Sequence, residues 1–406
     1  MKKLVALLLI LPSLLLAAYS GKVIDLKRSK PISHAIISDS KQSVRSDENG
    51  SFKINTSEKS LNIKAYGYRP YRFTVNSEKT THKLEPIHIK ALYLTFWGAS
   101  INSKTMAKVM KLIDESHANA LVVDVKNEYG STSFKTGFDQ ANSYGAWHNR
   151  TIKDIDAFMK VMKEKNIYTI ARIVTFKDEL QATNNEDYAI RNSKGLIWRN
   201  HDNIAWVDPF DKRSHNYVLE IAEEAAKAGF DEINFDYIRF PAKDNLNLKK
   251  ESTQENRTNA IEAFLKSAQD KLRPYGVFIS VDTYGNICWA EDDTGIGQTI
   301  ASLAKYADYL APMLYPSGFA CGSFSFKYPS EHPHAVLYRS VVHISDIVEP
   351  KRIRPWLQYF KDYAHKKREY KKFELQEQIR ACKDAKTSGW MVWAPSSKYF
   401  IEHFRE

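Results

Sequence analysis

Apolar and polar positions follow two different rhythms along this chain, and the change falls near Pro86. From residue 21 to 88 the runs are short, alternate with a period of two, and are cut by turn signals. The runs are Lys22 to Leu26, Ala35 to Ser38, Ser51 to Ile54, Leu61 to Ala65 and Arg72 to Val75. The breaks carry Lys30-Pro31, Asn49-Gly50 and Gly67-Tyr68, and no stretch repeats every 3.6 residues. This pattern predicts a small all-β, Ig-like antiparallel sandwich.

From residue 91 the rhythm becomes strand, loop, helix, repeated. The predicted strands are Ala91–Trp97, Ala120–Lys126, Tyr168–Phe176, Glu232–Arg239, Val277–Tyr284, Tyr309–Tyr315, Ile353–Phe360 and Trp390–Ala394. Most are near-continuous apolar runs, as parallel strands covered on both faces require. Between them lie helical stripes such as Met106/Val109/Met110/Ile113, Ile155/Phe158/Met159/Met162, Val218/Ile221/Ala222/Ala225 and Ile261/Phe264/Leu265/Ala268. Eight strands alternating with helices predict an α/β fold, a (β/α)8 TIM barrel over residues 89–406. An open doubly wound sheet is the alternative. The strand count weighs against it, as does Gly295-Ile-Gly297, which lacks the strand–turn–helix setting of a dinucleotide loop.

The N-terminus changes the picture of where the chain works. Met1-Lys2-Lys3 precedes an apolar run from Leu4 to Ala18, with Ala17, Ala18 and Ser20 as cleavage sites and no following Cys. This predicts a secretory signal peptide over residues 1–20, and a mature protein without a transmembrane segment, exported to the periplasm or the exterior. The formal charge of +11 falls by two when Lys2 and Lys3 leave. Basic residues are scattered except for Lys366 to Lys372, read as a solvated helix face that allows cell-envelope association. With no basic repeat, zinc-finger spacing or phosphate loop, nucleic acid is not an expected partner. Of three cysteines, Cys382 sits at helical spacing with Leu375 and Ile379 as a core thiol, while Cys288 and Cys321 fall in successive loops and are candidates for a disulfide in an oxidising compartment.

Candidate chemistry gathers at the strand ends. The second strand ends with Asp124 and Lys126, the third carries Arg172, and the fourth ends with Asp236 and Arg239. The fifth ends with Asp282, the sixth with Tyr315, the seventh carries Trp356 and Gln358, and the eighth carries Trp393. The strand starts look ordinary. In a barrel these endings share one face, where the active site lies. The loops on that face are long and aromatic and include Trp206 and Asp208. Aromatic faces suit sugar rings, and carboxylates and amides suit hydroxyls, so a carbohydrate is the expected partner. Asp236 and Asp282 on neighbouring strands suit glycosidic cleavage, one as nucleophile or base and the other as acid. Asp124, Lys126, Arg172, Trp206, Asp208, Arg239, Tyr315, Trp356, Gln358 and Trp393 are the expected substrate-positioning residues. An Asp236–Arg239 pair that only fixes a loop is the bland alternative. No metal or cofactor is expected: His-Glu-x-x-His is absent, and His332-x-His334 lies in a Pro-rich loop without obvious further ligands. The Gly-x-Ser-x-Gly elbow of serine hydrolases is absent too.

Two resemblances add to this reading. Gly21-Lys-Val-Ile-Asp, Pro31-Ile with Ala35, Asp47-Glu-Asn-Gly50-Ser-Phe52 and Ala65-Tyr-Gly67-Tyr68 resemble the carboxypeptidase regulatory-like domain, which implies an accessory module. The runs Ala171-Arg-Ile-Val-Thr-Phe-Lys-Asp178, Trp206-Val-Asp-Pro209, Gly229 to Pro241, Gly295-Ile-Gly-Gln298, Ala311 to Ser317 and Arg354-Pro-Trp-Leu-Gln358 resemble a glycoside hydrolase domain family of bacterial exported proteins. That resemblance spans residues 90–400 and implies a TIM barrel and a carbohydrate substrate. Similarity to the α-amylase type of barrel implies an acid after the fourth strand as nucleophile. That type places an Arg shortly before the nucleophile and a Glu after the fifth strand; here Arg239 follows Asp236, and Asp282 stands in the Glu position. The expectation is an exported glycoside hydrolase acting on a polysaccharide or envelope glycan. A catalytically silent glycan-binding barrel and an envelope scaffold working through the sandwich are the alternatives.

Overall fold

A computed structural model describes residues 17–76 and 80–405. The expected signal peptide lies, up to residue 16, outside the described residues. The N-terminal unit contains β1 (Ala17–Asp25), β2 (Ile36–Ser38), β3 (Ser43–Arg45), β4 (Ser51–Thr56), β5 (Ser60–Lys64), β6 (Tyr71–Thr74) and β7 (Thr81–Leu84). Two sheets form, in the orders β4-β1-β7 and β3-β2-β5-β6. Alternation along β4 buries Phe52 and Ile54, which close on Val23, Ile37, Leu61, Ile63 and Phe73. Two details differ from the sequence reading. β1 pairs in parallel with β7, so the unit is not wholly antiparallel. β1 also starts before residue 21, and Tyr19 is buried in this core.

The rest of the described chain is a closed parallel barrel. Its staves are β8 (Ile89–Leu94), β9 (Ala120–Lys126), β10 (Tyr168–Val174), β11 (Glu232–Asp236), β12 (Phe278–Tyr284), β13 (Tyr309–Met313), β14 (Trp356–Gln358) and β15 (Gly389–Trp393). Every expected strand is present. Helices such as Lys104–Glu115, Ile155–Glu164, Lys212–Ala228 and Gln254–Leu272 cover the outside, and their apolar stripes are buried against it. The barrel closes where β15 meets β8. There Gly389, at φ 131°, lies so close to the Ile89 carbonyl that any Cβ would collide with it. No helix among the described residues is long and apolar enough to cross a membrane.

The strand starts are not ordinary. Arg354 Nη1 donates to both Glu232 oxygens at 2.9 and 2.8 Å, Tyr168 Oη donates to Glu232 at 2.9 Å, and the guanidinium stacks 4.2 Å from the Tyr309 ring. This buried network closes the N-terminal end of the barrel. The sandwich docks on the same end: Lys64 Nζ meets Asp308 at 2.7 Å and the Val277 carbonyl at 3.0 Å, and Arg69 donates to the Asn166 carbonyl at 2.7 Å. Asn166, Val277 and Asp308 each lie just before a strand, so the C-terminal end is left uncovered by this unit. Two further expectations fail. Residues 366–370 are loop, and only Lys372 enters the helix Lys372–Asp384. Cys288 is buried in the barrel core while Cys321 is exposed, and both are free thiols, so the candidate bridge is not made.

Candidate active site

The polar groups at the barrel mouth come from inward positions in the C-terminal halves of the strands. Phe235 of β11 is level with Val281 of β12, so continuing the register sets Asp236 beside Asp282. Period-two alternation turns both side chains to the inside, from strands that lie one spacing (about 4.8 Å) apart. Each acid has a different electrostatic setting.

Asp236 is salt-bridged from β10. Arg172 Nε and Nη2 donate to its Oδ2 at 3.0 and 2.5 Å, and the Tyr237 amide donates to its Oδ1 at 2.6 Å. Arg172 is fixed from its other side. Its Nη1 donates to Asp124 at 2.6 Å, Tyr93 Oη donates to the second Asp124 oxygen at 2.5 Å, and the guanidinium lies 5.1 Å from the Trp393 ring. Burial pushes the Asp124 carboxyl up, against the pull of Arg172, and burial pushes the Tyr93 hydroxyl up strongly, so the phenol keeps its proton and donates it.

Asp282 has no cation in contact. Its Oδ1 accepts from Trp356 Nε1 at 2.7 Å and Asn234 Nδ2 at 2.9 Å, and its Oδ2 accepts no hydrogen bond among the described residues. Burial pushes this carboxyl well above the usual range, and the nearby charge of Asp236 adds to the rise. Arg172, the Trp356 N–H and the Asn234 amide offset part of it.

Both acids open into one pocket of about 310 Å³. Of the expected site residues, Asp236, Asp282, Arg172, Arg239, Tyr315, Trp356 and Trp393 line it. Five others do not. Asp124 stands behind Arg172. Lys126 pairs with Asp178 at 2.8 Å in the buried outer layer. A bulge explains the turn: Arg172 is level with Asp124 but Ile173 with Lys126, so Val125 is skipped and Lys126 faces the helices. Asp208 accepts the Phe210 and Lys249 amides and fixes loops. Trp206 packs behind Tyr237 and Arg239. Gln358 binds the Ser317 amide and hydroxyl and so holds the loop after β13. The bland Asp236–Arg239 pair is not formed; the partner is Arg172.

The sequence reading left out Tyr237, Tyr284, Asn286, Phe319 and Tyr363, which also line the pocket. Tyr237 directly follows β11 and Tyr284 is the last residue of β12, so their placement was legible. Phe319 and Tyr363 come from loops that fold back over the mouth, and no local pattern marks them. Tyr237 stands at φ 49°, unusual for an aromatic residue. This turn brings its ring into the wall just past Asp236. Burial and the two acids push the Tyr315 hydroxyl well up, so it faces the pocket as a neutral donor.

Residues 91–399 match a family model described as "Putative glycosyl hydrolase domain". No curated protein matches the chain. Among solved structures, the glycoside hydrolase domain of PgaB (BpsB) from Bordetella bronchiseptica is similar at 10% identity, over 77% of this chain and 95% of that one, with a TM-score of 0.57. A hypothetical protein from Ruminiclostridium thermocellum ATCC 27405 is 33% identical over 47% of this chain and 96% of that one, with a TM-score of 0.42. A GH18 chitinase from Pseudoalteromonas aurantia is 12% identical over 78% and 97%, with a TM-score of 0.44. The first of these likenesses is one of fold.

Proposed function

The chain belongs to the glycosyl hydrolase domain family whose model it matches, and from that premise we propose that it is an exported glycoside hydrolase that cleaves a polysaccharide or envelope glycan with retention of configuration. The observation that carries this reading is the pairing of unlike acids in one pocket: Asp236 salt-bridged to Arg172, and Asp282 desolvated with a raised pKa. Asp282 holds its proton on the side of the free Oδ2 and gives it to the glycosidic oxygen as that bond breaks. Asp236 attacks the anomeric carbon and forms the glycosyl ester. Asp282, now a carboxylate, takes a proton from water, which opens the ester and restores both acids. Asp236 and Asp282 stand on neighbouring strands and open into one pocket, as a pair acting on one glycosidic bond requires, and the anomer of the first product reads retention against inversion.

Tyr315 and the ring of Trp393 supply a hydroxyl donor and an apolar face to the sugar, and the Arg172–Asp124–Tyr93 chain keeps Asp236 in place. The basic start Met1-Lys2-Lys3 and the apolar run that follows it from Leu4 support export. The test is a glycan panel scored for new reducing ends, with the anomer of the first product read by proton NMR. Asp236→Asn is expected to abolish release. Asp282→Asn is expected to lose about 10²–10⁴-fold on natural linkages and to retain cleavage of an aryl glycoside whose leaving group needs no proton. Full activity in Asp236→Asn overturns the assignment, and a first product of inverted configuration overturns retention. Glycan binding with no release by the wild type supports the silent-barrel alternative instead.

A further inference from the structure

Arg172 and Arg354 are buried, and each meets a carboxylate within 2.8 Å; half-buried Arg257 pairs with Asp293 at 2.7 Å. Arg239, half-buried at the pocket, meets no carboxylate among the described residues. Its one side-chain hydrogen bond among the described residues runs from Nη1 to the Phe240 carbonyl at 3.1 Å, and its guanidinium is flanked by the Trp206 and Tyr237 rings, 5.2 Å from each. It lines the same pocket as the two acids. Asp236 and Tyr284 are close enough to favour its charge, yet neither bonds to it, and burial still pulls its pKa down. Asp236 is already matched by Arg172.

A partly desolvated guanidinium without a counter-charge is unfavourable, and its fork of donors fits a carboxylate. The aromatic faces fix the plane of the fork but cannot neutralise it. The remaining donors make no hydrogen bond among the described residues, and the residue lines the space that the substrate enters. Resting on the hydrolase reading above, we propose that Arg239 binds the carboxylate of an acidic sugar, so that the substrate is a carboxylate-bearing glycan rather than a neutral one.

The test uses the full chain carrying Asp236→Asn, which holds glycans without cutting them. Calorimetry compares oligogalacturonate, oligoalginate and hyaluronan oligosaccharides, each beside its carboxyl-reduced counterpart. At least one acidic oligomer is expected to bind about tenfold or more tighter than its reduced form. Adding Arg239→Gln is expected to erase that preference, and Arg239→Lys to keep part of it, with circular dichroism checking that each variant is folded. Equal binding of acidic and reduced forms, a preference that survives Arg239→Gln, or binding of neutral chitin or cellulose oligomers alone overturns the proposal. Failure of this proposal and failure of the hydrolase reading are separable. Wild-type release of reducing ends from a neutral glycan, unaltered by Arg239→Gln, sinks the acidic-sugar assignment and leaves the hydrolase standing. Carboxylate-dependent binding without release by the wild type does the reverse.

Discussion

Arg172→Met tests whether the site depends on one cation shared by two acids. The wild-type guanidinium makes three short hydrogen bonds, two to Asp236 and one to Asp124, with little solvent exposure. Methionine fills a similar volume but leaves both carboxylates without a counter-charge. Each keeps one other donor, the Tyr237 amide for Asp236 and the Tyr93 hydroxyl for Asp124. Removing one partner from a buried ion pair costs about 3–5 kcal/mol. That is a large share of the roughly 5–15 kcal/mol that holds a domain folded, yet it leaves a folded protein to assay. The pH dependence gives a sharper signature. A carboxyl raised in the folded state is stabilising below its unfolded pKa, and that contribution is lost as pH rises through the folded pKa. Asp124 is already raised by burial, and losing Arg172 raises it further. The variant's deficit must therefore be greatest at pH 7 and shrink toward pH 4. Urea unfolding across that range reads the deficit, and steady-state cleavage reads the loss of an aligned nucleophile, about 10²-fold or more. A deficit below about 1 kcal/mol at pH 7, or one equally large at pH 4, refutes the shared-cation account.

Two further outcomes follow from the same geometry. The Trp356 N–H donates to Asp282 and lowers its pKa, so Trp356→Phe must raise it further and move the alkaline limb of kcat/KM to higher pH; a limb that stays or moves down refutes the contact's role. Among the thiols, exposed Cys321 is expected to react with iodoacetamide in the native protein at pH 8, whereas buried Cys288, its thiol pushed up to about 12, reacts only after unfolding; mass spectrometry of a disulfide-linked peptide pair would contradict both.

Local pattern made much of the barrel legible. A parallel strand covered on both faces must be apolar along its length, so eight such runs declared eight staves. An acid at the end of such a run has few places to go, so Asp236 and Asp282 stood out, and the closed barrel turned both to the inner face. The tertiary structure decided which charge meets which. Arg239 is three residues from Asp236 in the chain, yet Arg172, sixty-four residues away, is its partner, because β10 lies against β11 and their side chains point to one axis. A bulge at Val125 reversed the facing of Lys126, which no composition signal records. The Glu232–Arg354 pair that closes the barrel floor joins the start of β11 to the segment just before β14, far apart in the sequence, and the loops carrying Phe319 and Tyr363 meet the pocket only after the chain has folded over it. Burial pattern is a property of each segment taken alone, whereas charge pairing depends on the register between segments, and the closure of the barrel is what sets that register.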